Sequence, residues 1–437
     1  MAYDISALLR ADGMVCPVCG RTHTGKLRDC FIGAGVVSHL PEMVKKYGGT
    51  RAFVLCDRET YAAAGEKVCA LLADAGIAYD LHVIWRTHPM PDERIVGEAL
   101  MHCPNESDIV IAVGGGVIND TCKIIASAKN VAEIIVGTAP SMDGFASATS
   151  SMERGGLKVS LNSKCPEVVI GDTDILATAP TRMVLSGIGD MLAKFVSIAE
   201  WRISNLINGE YYCPVIADMV EESLNKCVKH AYAATQGNRD ALASVMEGLV
   251  VSGLTMNYAG VSRPASGMEH YISHITDMRA LEFGTPSDYH GIQCGIAALT
   301  VIKAYKKLAK ITPDREKALE YVRAFELEKW NEHIRERLGK AAESIIALDR
   351  KERKYDLEKH AARLEKIIEN WDGVKKIIAS LPDPDDLGEF MKSIGHPTEP
   401  NEIGVSEEDW SEAFVMAKDI RDKYVLGKLM WDIGVLD

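Results

Sequence analysis

Three segments of the chain carry acidic and imidazole side chains of the kind that bind a divalent metal ion. Asp190 lies in SGIGDMLAKF, His270 and His274 lie in SRPASGMEHYISH, and His290 lies in DYHGIQCGIA. His270 and His274 are one helical turn apart and therefore share a helix face. One carboxylate and two imidazoles with an open coordination position can hold a substrate oxygen on a metal. Because the ligands are far apart in sequence, a structural role for each histidine is the alternative.

A glycine-rich turn follows a strand-like run in DIVIAVGGGVINDTCKIIAS. Gly114, Gly115 and Gly116 allow the backbone to approach a ligand and present N–H groups at a helix start, where a pyrophosphate is stabilised. The segment predicts a dinucleotide site, and a tight strand-to-helix turn is the alternative. Asp57 ends another strand-like run, where a carboxylate can bind ribose hydroxyls and disfavour a 2′-phosphate. A helix cap is the alternative role for Asp57.

A polar turn, TAPSMDG, comes directly after a further predicted strand. Ligands of open parallel sheets bind at the carboxyl ends of the strands. We therefore expect Thr138 and Ser141 to contact the cofactor and Asp143 to contact a substrate hydroxyl.

Four potential metal ligands lie near the amino end of the chain. Cys16 and Cys19 have the spacing of a zinc knuckle, and His23 and Cys30 follow. No second pair with that spacing follows. We expect a hairpin with ordinary thiols, and a small structural metal site is the alternative. The role of these four residues stays open.

Two kinds of element must position these residues. Up to residue 172, Val/Ile-rich runs alternate with amphipathic stretches, which predicts a mostly parallel sheet. The remainder has the periodicity of helices, and its charged part at 314–380 is typical of a solvated helical surface. We predict an α/β nucleotide-binding domain over residues 1–172 and an all-helical metal and substrate domain over 173–437. The predicted strands lie at 29–33, 51–56, 80–85, 108–113, 133–136 and 168–170, and the main predicted helices at 181–205, 213–235, 239–258, 267–279, 291–309 and 406–426.

Composition narrows the possible partners. The 437 residues carry a net charge of −13, which gives no broad electrostatic reason to bind nucleic acid or an anionic membrane. An anionic substrate must therefore meet a local cluster of cations or backbone N–H groups. We see no signal peptide and no run of about 18 apolar residues that would cross a membrane. The eleven scattered cysteines predict reduced thiols and a cytoplasmic location.

The motifs GGGVIND, TAPSMDGFAS, SGIGDMLAK, SRPASGMEHYISH and YHGIQCGIA, in this order, resemble the sn-glycerol-1-phosphate dehydrogenase family. That family belongs to a superfamily with glycerol dehydrogenases, iron-type alcohol dehydrogenases and dehydroquinate synthases. The resemblance runs from about Arg28 to IRDKYVLGKLMWDIGVLD at the end. It implies the dehydroquinate synthase-like fold, in which a Rossmann-like parallel-sheet domain precedes a helical metal-binding domain.

The resemblance also implies roles for residues. Asp190, His270 and His290 match the ligands of one divalent metal ion, for which zinc is our first expectation and nickel or iron the alternatives. His274 and Asp143 match residues that face the substrate. The matches to the NAD(H) or NADP(H) contacts are Gly114, Gly115, Gly116, Val117, Ile118, Thr138, Ala139, Pro140, Ser141 and Ser147.

The implied reaction is metal-assisted hydride transfer between dihydroxyacetone phosphate and sn-glycerol-1-phosphate, with the metal as Lewis acid and water or His274 as proton relay. Asp143, Asp190 and His274 are the expected catalytic residues. Lys194 and Arg263 are our candidates for the substrate phosphate, and pairing with an acid is the alternative for either. Two rival functions are a glycerol or other alcohol dehydrogenase, which has no need for such cations, and a cyclising lyase of the dehydroquinate synthase type. A homodimer or higher homo-oligomer is compatible with the sequence.

Overall fold

The computed structural model describes residues 5–9, 13–87 and 89–436. The chain forms two compact units, each built from two stretches of sequence. Unit 1 comprises Met1–Met191 and Pro214–Ser262, and unit 2 comprises Leu192–Cys213 and Arg263–Asp437. Among the described residues, no helix combines the length and the apolar character needed to cross a bilayer.

Unit 1 is built on a six-stranded sheet in which every neighbouring pair is parallel. The strands are rich in Val and Ile, and two interior strands, Ile109–Gly114 and Val168–Asp172, are buried along their whole length, as expected when helices cover both faces. In chain order its strands are β3 (Asp29–Gly33), β4 (Arg51–Asp57), β5 (Ala78–Ile84), β6 (Ile109–Gly114), β7 (Ala132–Gly137) and β10 (Val168–Asp172). Across the sheet they lie in the order β3-β10-β7-β6-β4-β5.

Two short antiparallel hairpins complete the strands of unit 1. The first, near the amino end, pairs β1 (Met14–Val15) with β2 (Thr22–His23). The second pairs β8 (Thr149–Arg154) with β9 (Leu157–Asn162). The helices of unit 1 are α1 (Ile5–Leu8), α2 (Leu40–Lys46), α3 (Arg58–Thr60), α4 (Glu66–Asp74), α5 (Glu93–His102), α6 (Gly116–Lys129), α7 (Thr173–Leu176), α8 (Thr181–Leu192, whose last residue falls in unit 2), α10 (Pro214–Thr235) and α11 (Arg239–Ala259).

Among its described residues, unit 2 consists of helices joined by loops and has no strand. Its helices are α9 (Lys194–Asn208), α12 (Met268–Phe283), α13 (His290–Leu308), α14 (Arg315–Ala324), α15 (Leu327–Leu338), α16 (Ala342–Glu352), α17 (Leu357–Glu369), α18 (Trp371–Ala379), α19 (Pro384–Ser393), α20 (Glu407–Met416) and α21 (Leu426–Asp432). Helices α12 and α13 pack together, and α9 contacts both of them. Helix α19 packs against α13, whereas α20 packs against α12 and also bonds to α13. An apolar cluster around Val322 in α14 and Trp431 in α21 joins the carboxyl-terminal helices.

The predicted fold class is confirmed, with a parallel α/β sheet preceding a helical remainder. The predicted domain boundary at residue 172 stays a prediction, and the compact units divide the chain elsewhere. Helices α10 and α11 pack against each other, and α11 also contacts β3 and α7. Because this packing buries most of the apolar face of α11 against the sheet half, both helices belong to unit 1 although they follow the last strand.

Candidate active site

The predicted dinucleotide loop is a sharp turn between β6 and α6. A side chain on Gly114 would place its Cβ 2.7 Å from the Cβ of Ile118, so glycine allows the strand and helix to pack this closely. Gly115 is the N-cap residue, and α6 starts at Gly116. Backbone N–H groups in the first turn of a helix lack partners within the helix and can bind a phosphate. The loop can therefore hold a pyrophosphate through Gly116, Val117 and Ile118.

The turn after β7 lies beside this loop. The N–H of Thr138 donates to the carbonyl of Gly114 over 3.2 Å, which ties the ends of the two strands together. Ser141 is nearly buried and accepts a bond at its carbonyl from the Ser186 hydroxyl at 2.9 Å. The predicted segments 114–118 and 138–141 thus meet at the carboxyl edge of the sheet, where open parallel sheets bind ligands.

Asp57 lies at the same edge, at the end of β4, but its carboxylate has a structural partner. It accepts a hydrogen bond from the N–H of Thr60 at 2.8 Å, and the Thr60 hydroxyl receives the N–H of Asp57. This reciprocal pair is a capping box that starts α3. The capping role considered from the sequence is therefore present, and contact with ribose stays a prediction.

Ser147 belongs to a polar network organised by Lys123, a residue that the sequence reasoning missed. The buried ammonium of Lys123 donates to the carbonyl of Gly144 at 2.6 Å, to the Ser147 hydroxyl at 3.0 Å and to the carbonyl of Thr149 at 3.2 Å. Asp120 is its nearby acid, at 3.3 Å. Lys123 therefore fixes the turn that follows Asp143, and its position one helical turn after Asp120 was the available signal.

The two predicted catalytic aspartates of unit 1 meet directly. The N–H of Asp143 donates to Oδ2 of Asp190 at 2.8 Å. Asp143 accepts a further bond on its own carboxylate from the Ser252 hydroxyl at 2.9 Å. Asp190 is completely buried, whereas Asp143 is partly exposed. Both carboxylates are thus held by donors at defined positions.

The histidines of unit 2 form one cluster. The ring centroids of His270 and His290 are 5.0 Å apart, and those of His274 and His290 are 5.6 Å apart. Ligand atoms of His270, His290 and Cys294 all lie within 4.8 Å of one another. A second set with the same spacing consists of His274, Asp277 and His290. Imidazole and thiolate groups at this separation suit a divalent transition metal ion.

The orientation of two of these rings is fixed through Nδ1. His270 Nδ1 lies 2.8 Å from the buried carboxylate of Glu269, and His290 Nδ1 lies 3.0 Å from the Ser273 hydroxyl. Gln293 donates to that hydroxyl at 3.1 Å and so orients it. Metal-binding histidines are commonly held in this way, with the carboxylate or hydroxyl on one nitrogen and the metal on the other. A metal ion would therefore be bound through Nε2 of both rings.

Cys294 is a member of this cluster that the sequence reasoning missed. It is buried one helical turn after His290, with its sulfur 3.5 Å from Nε2 of that ring. Burial raises the pKa of the Cys294 thiol, but His270 and His290 outweigh this effect and lower it below the usual value. The spacing of four residues from His290 within α13 was the signal that could have identified it.

The two predicted phosphate contacts both hold the loop that precedes α12. Lys194 is buried and donates to the carbonyl of Ala265 at 2.8 Å. Arg263 forms a two-point ion pair with Glu210, at 2.8 and 2.7 Å, and donates to the carbonyl of Tyr424 at 2.9 Å. Pairing with an acid, the alternative left open for Arg263, is therefore present. The role of either residue toward phosphate stays a prediction.

Lys423 is a third cation on this loop that the sequence reasoning missed. It donates to the carbonyl of Ser266 at 2.8 Å and to its hydroxyl at 2.6 Å. Burial and the nearby Arg263 lower the pKa of Lys423 to about 7. Lys423 is separated from the loop by more than 150 residues, and no local sequence pattern points to this contact.

Comparison with known proteins identifies close relatives along most of the chain. Residues 31–180 match the family of iron-containing alcohol dehydrogenases. A glycerol-1-phosphate dehydrogenase (NAD(P)+) of Bacillus licheniformis is 30% identical over 96% of this chain and 92% of its own length. One of Bacillus velezensis is 32% identical over 91% of this chain and 90% of its own length.

Solved structures agree on the fold. Glycerol dehydrogenase from Schizosaccharomyces pombe superimposes with a TM-score of 0.62 at 19% identity, covering 95% of this chain and 90% of that one. Alcohol dehydrogenase from Oenococcus oeni gives a TM-score of 0.59 at 15% identity, covering 93% and 97%. At these identities the likeness concerns the fold, whereas the sequence relatives decide the family. The chain belongs to the glycerol-1-phosphate dehydrogenase family.

Proposed function

We propose that this protein interconverts dihydroxyacetone phosphate and sn-glycerol-1-phosphate with NAD(H) or NADP(H) and one divalent metal ion. The observation that carries the proposal is the 32% identity to the Bacillus velezensis glycerol-1-phosphate dehydrogenase over 90% of that protein. The histidine cluster of unit 2 and the glycine loop of unit 1 support it, because they offer the chemistry that a metal ion and a dinucleotide need.

We assign the metal ligands to Asp190, His270 and His290, with zinc as the expected ion and nickel or iron as alternatives. The Nδ1 contacts of the two histidines support this assignment, since they present Nε2 as the ligand atom. The sulfur of Cys294 lies 3.5 Å from Nε2 of His290 and is a further candidate ligand. When bound, the metal ion supplies Lewis acidity to the ketone oxygen, and the reduced nicotinamide supplies the hydride.

We assign cofactor binding to the carboxyl edge of the sheet. The N–H groups at the start of α6 would bind the pyrophosphate, and Asp57 the adenosine ribose. The proximity of the loops after β6 and β7 supports a shared role for segments 114–118 and 138–141. Ser147 would act together with the turn that Lys123 fixes.

We assign the substrate to Asp143, His274 and a local cation. The donor from Ser252 holds the Asp143 carboxylate as a fixed acceptor for a substrate hydroxyl. His274 is partly exposed and lies next to His290, so it is suited to move a proton to the developing alkoxide. Lys194, Arg263 or both would bind the substrate phosphate. We place the protein itself in the cytoplasm.

The test is a substrate comparison with the purified protein. NADH and NADPH are each offered with dihydroxyacetone phosphate, dihydroxyacetone and simple aldehydes, and the product is resolved by chiral analysis. We expect the highest kcat/KM with dihydroxyacetone phosphate and sn-glycerol-1-phosphate as product. A preference for free dihydroxyacetone would instead identify a glycerol dehydrogenase, and formation of sn-glycerol-3-phosphate would reject the assigned stereochemistry.

A further inference from the structure

The amino-terminal hairpin has the backbone geometry of a metal-binding knuckle. Cys16 and Cys19 lie in the turn of the sequence CPVCG between β1 and β2. The N–H of Cys19 points at the Cys16 sulfur at 3.5 Å, and the N–H of Gly20 donates to the Cys16 carbonyl at 3.0 Å. Gly20 has a φ of 71°, which glycine adopts without strain. The turn therefore brings both sulfurs to one side and directs an N–H at one of them.

His23 completes this arrangement from β2. It is almost fully buried, and its Nδ1 lies 3.1 Å from the carbonyl of Tyr258 in α11. A carbonyl oxygen can accept a hydrogen bond only from a nitrogen that carries a hydrogen, so Nδ1 is the protonated nitrogen. In the neutral ring Nε2 then has a lone pair. Proteins commonly orient a metal-binding histidine through such a hydrogen bond from the ring nitrogen that does not bind the metal. The Nε2 atom faces the sulfur of Cys19 at 3.3 Å.

The distances suit tetrahedral zinc. Zinc bonds of about 2.3 Å to sulfur and about 2.0–2.1 Å to nitrogen, at a tetrahedral angle, separate the two ligand atoms by about 3.5 Å. The observed 3.3 Å between Cys19 and His23 is close to this value. The ligand atoms of Cys16, Cys19 and His23 all lie within 4.8 Å of one another.

The hairpin also needs a cross-link that its own apolar residues do not supply. Its strands are two residues long, and Val15 and Val18 are 71% and 61% exposed. A two-stranded hairpin of this size is marginal by itself in water. A structural metal ion commonly stabilises such small segments. Here it would hold the hairpin against α11, where the ring of Tyr258 stacks on His23.

We propose that Cys16, Cys19 and His23 bind a structural zinc ion, distinct from the ion proposed for catalysis, that fastens the amino-terminal hairpin to α11. This proposal takes up the small structural metal site, which was the alternative to ordinary thiols in the sequence analysis. Zinc is favoured over hard cations because two thiolates and one imidazole are soft or borderline ligands.

The test measures zinc per chain in protein produced with zinc in the medium. The His270→Ala, Cys294→Ser double variant removes ligands of the proposed catalytic site and should still hold one zinc ion. Adding Cys16→Ser to this background should abolish that zinc. Adding Cys227→Ser, a matched control at another buried cysteine, should leave it unchanged. Circular dichroism verifies that each variant is folded.

Cobalt substitution gives a second readout in the same background. We expect a thiolate-to-cobalt charge-transfer band and tetrahedral d–d bands, both lost with Cys16→Ser. The variant Cys19→His should keep the tetrahedral bands and lose part of the thiolate band, because histidine restores a ligand. Removal of zinc should also speed proteolysis within residues 13–24. Zinc content that is absent from the His270→Ala, Cys294→Ser protein, or that survives Cys16→Ser, would overturn the proposal.

Discussion

The backbone N–H of Asp143 donates a hydrogen bond to the carboxylate of Asp190 over 2.8 Å. This bond joins the turn after β7 to α8 and gives the completely buried carboxylate of Asp190 a donor. The donor fixes the position of the Asp190 carboxylate, which is the proposed metal ligand. A movement of the turn after β7 would therefore shift that ligand.

We predict that His270→Ala removes the catalytic metal ion and the activity while preserving the fold. Loss of an imidazole ligand leaves too few protein donors for tight binding. The metal content per chain and kcat should fall together, and the circular dichroism spectrum should be unchanged. The amino-terminal zinc proposed above would remain in His270→Ala and add to its total metal content. Metal content is therefore also measured in the Cys16→Ser variant, which should retain only the catalytic ion. Full metal content and turnover in His270→Ala would reject His270 as a ligand.

Glu269→Gln should weaken metal binding at the same site without abolishing it. The amide keeps a similar shape beside Nδ1 of His270 but loses the charge that supports the ring. Outer contacts of this kind change metal affinity by about 10–100-fold. We expect a weakened affinity in a chelator competition and recovery of activity at high metal concentration. Unchanged affinity would mean that Glu269 does not support the metal through His270.

The sheet was predictable because its strands are nearly continuous apolar runs. The run before Gly114 could be read directly as β6, and the turn glycines marked its end. The hairpin of β8 and β9 was missed, since Thr149–Arg154 is polar apart from Met152 and lacks an apolar stretch. The predicted helix at 181–205 is divided into α8 and α9, and the predicted helix at 406–426 ends at Met416.

The candidate site was predictable where motifs are local and unpredictable where contacts are distant. His270 and His274 share a helix face by spacing alone, and the structure keeps them in one cluster. Lys423 reaches the Ser266 loop from a distant segment, and Glu210 pairs with Arg263 across more than 50 residues. Such partners depend on tertiary packing, so a single sequence identifies the cations but not what they hold.

We predict a weak preference for NAD(H) over NADP(H) that depends on the charge of Asp57. A carboxylate near the adenosine ribose repels a 2′-phosphate. The variant Asp57→Asn removes this charge and retains an N-cap acceptor for Thr60, so it separates recognition from stability. The ratio of kcat/KM for NADPH to that for NADH should rise about tenfold, as ~1.4 kcal/mol corresponds to a factor of ten.

Asp57→Gly is the comparison variant for the same position. Glycine also removes the charge and loses the side-chain acceptor of the cap, which costs a few tenths of a kcal/mol in typical helices. Its cofactor ratio should therefore change as in Asp57→Asn, with a slightly lower melting temperature. Equal or better turnover with NADPH in the wild type, unaltered in both variants, would count against a role for Asp57 in cofactor choice.

We predict a pH-dependent stabilisation from Lys428 in α21. Burial lowers the pKa of Lys428 to about 7, although Asp432 opposes this effect and Arg363 adds to it. In the unfolded chain the Lys428 side chain keeps its proton up to about pH 10.4. Between about pH 7 and 10.4 the unfolded chain therefore binds more protons at this residue than the folded chain does. The contribution of Lys428 to stability therefore rises with pH through this window.

Urea unfolding of wild type and Lys428→Met at about pH 7 and pH 9 checks this sign. The difference in unfolding free energy, wild type minus variant, should increase by roughly 1–2 kcal/mol over that interval. Lys317→Met, at a lysine whose side chain is 83% exposed, is the control and should give no such trend. A difference that is constant with pH would mean that Lys428 stays charged in the folded protein.

We predict, finally, that Lys194, Arg263 or both select the phosphorylated substrate. A charge-assisted contact to phosphate contributes about 1.5–3 kcal/mol, so its loss should lower kcat/KM for dihydroxyacetone phosphate roughly ten- to a hundredfold. Unphosphorylated dihydroxyacetone should be barely affected. The ratio of the two kcat/KM values, measured for Lys194→Ala and Arg263→Ala, is therefore the decisive quantity.

Glu210→Gln separates phosphate binding from the structural role of Arg263. It weakens the ion pair of Arg263 but leaves the guanidinium in the protein. If Arg263 binds phosphate, Arg263→Ala changes the substrate ratio and Glu210→Gln does not. If the ion pair only supports the loop before α12, both variants lower kcat/KM for the two substrates to the same extent. An unchanged ratio in Lys194→Ala as well would place the phosphate on other groups, and Lys423, which holds the same loop at Ser266, would be the next residue to replace.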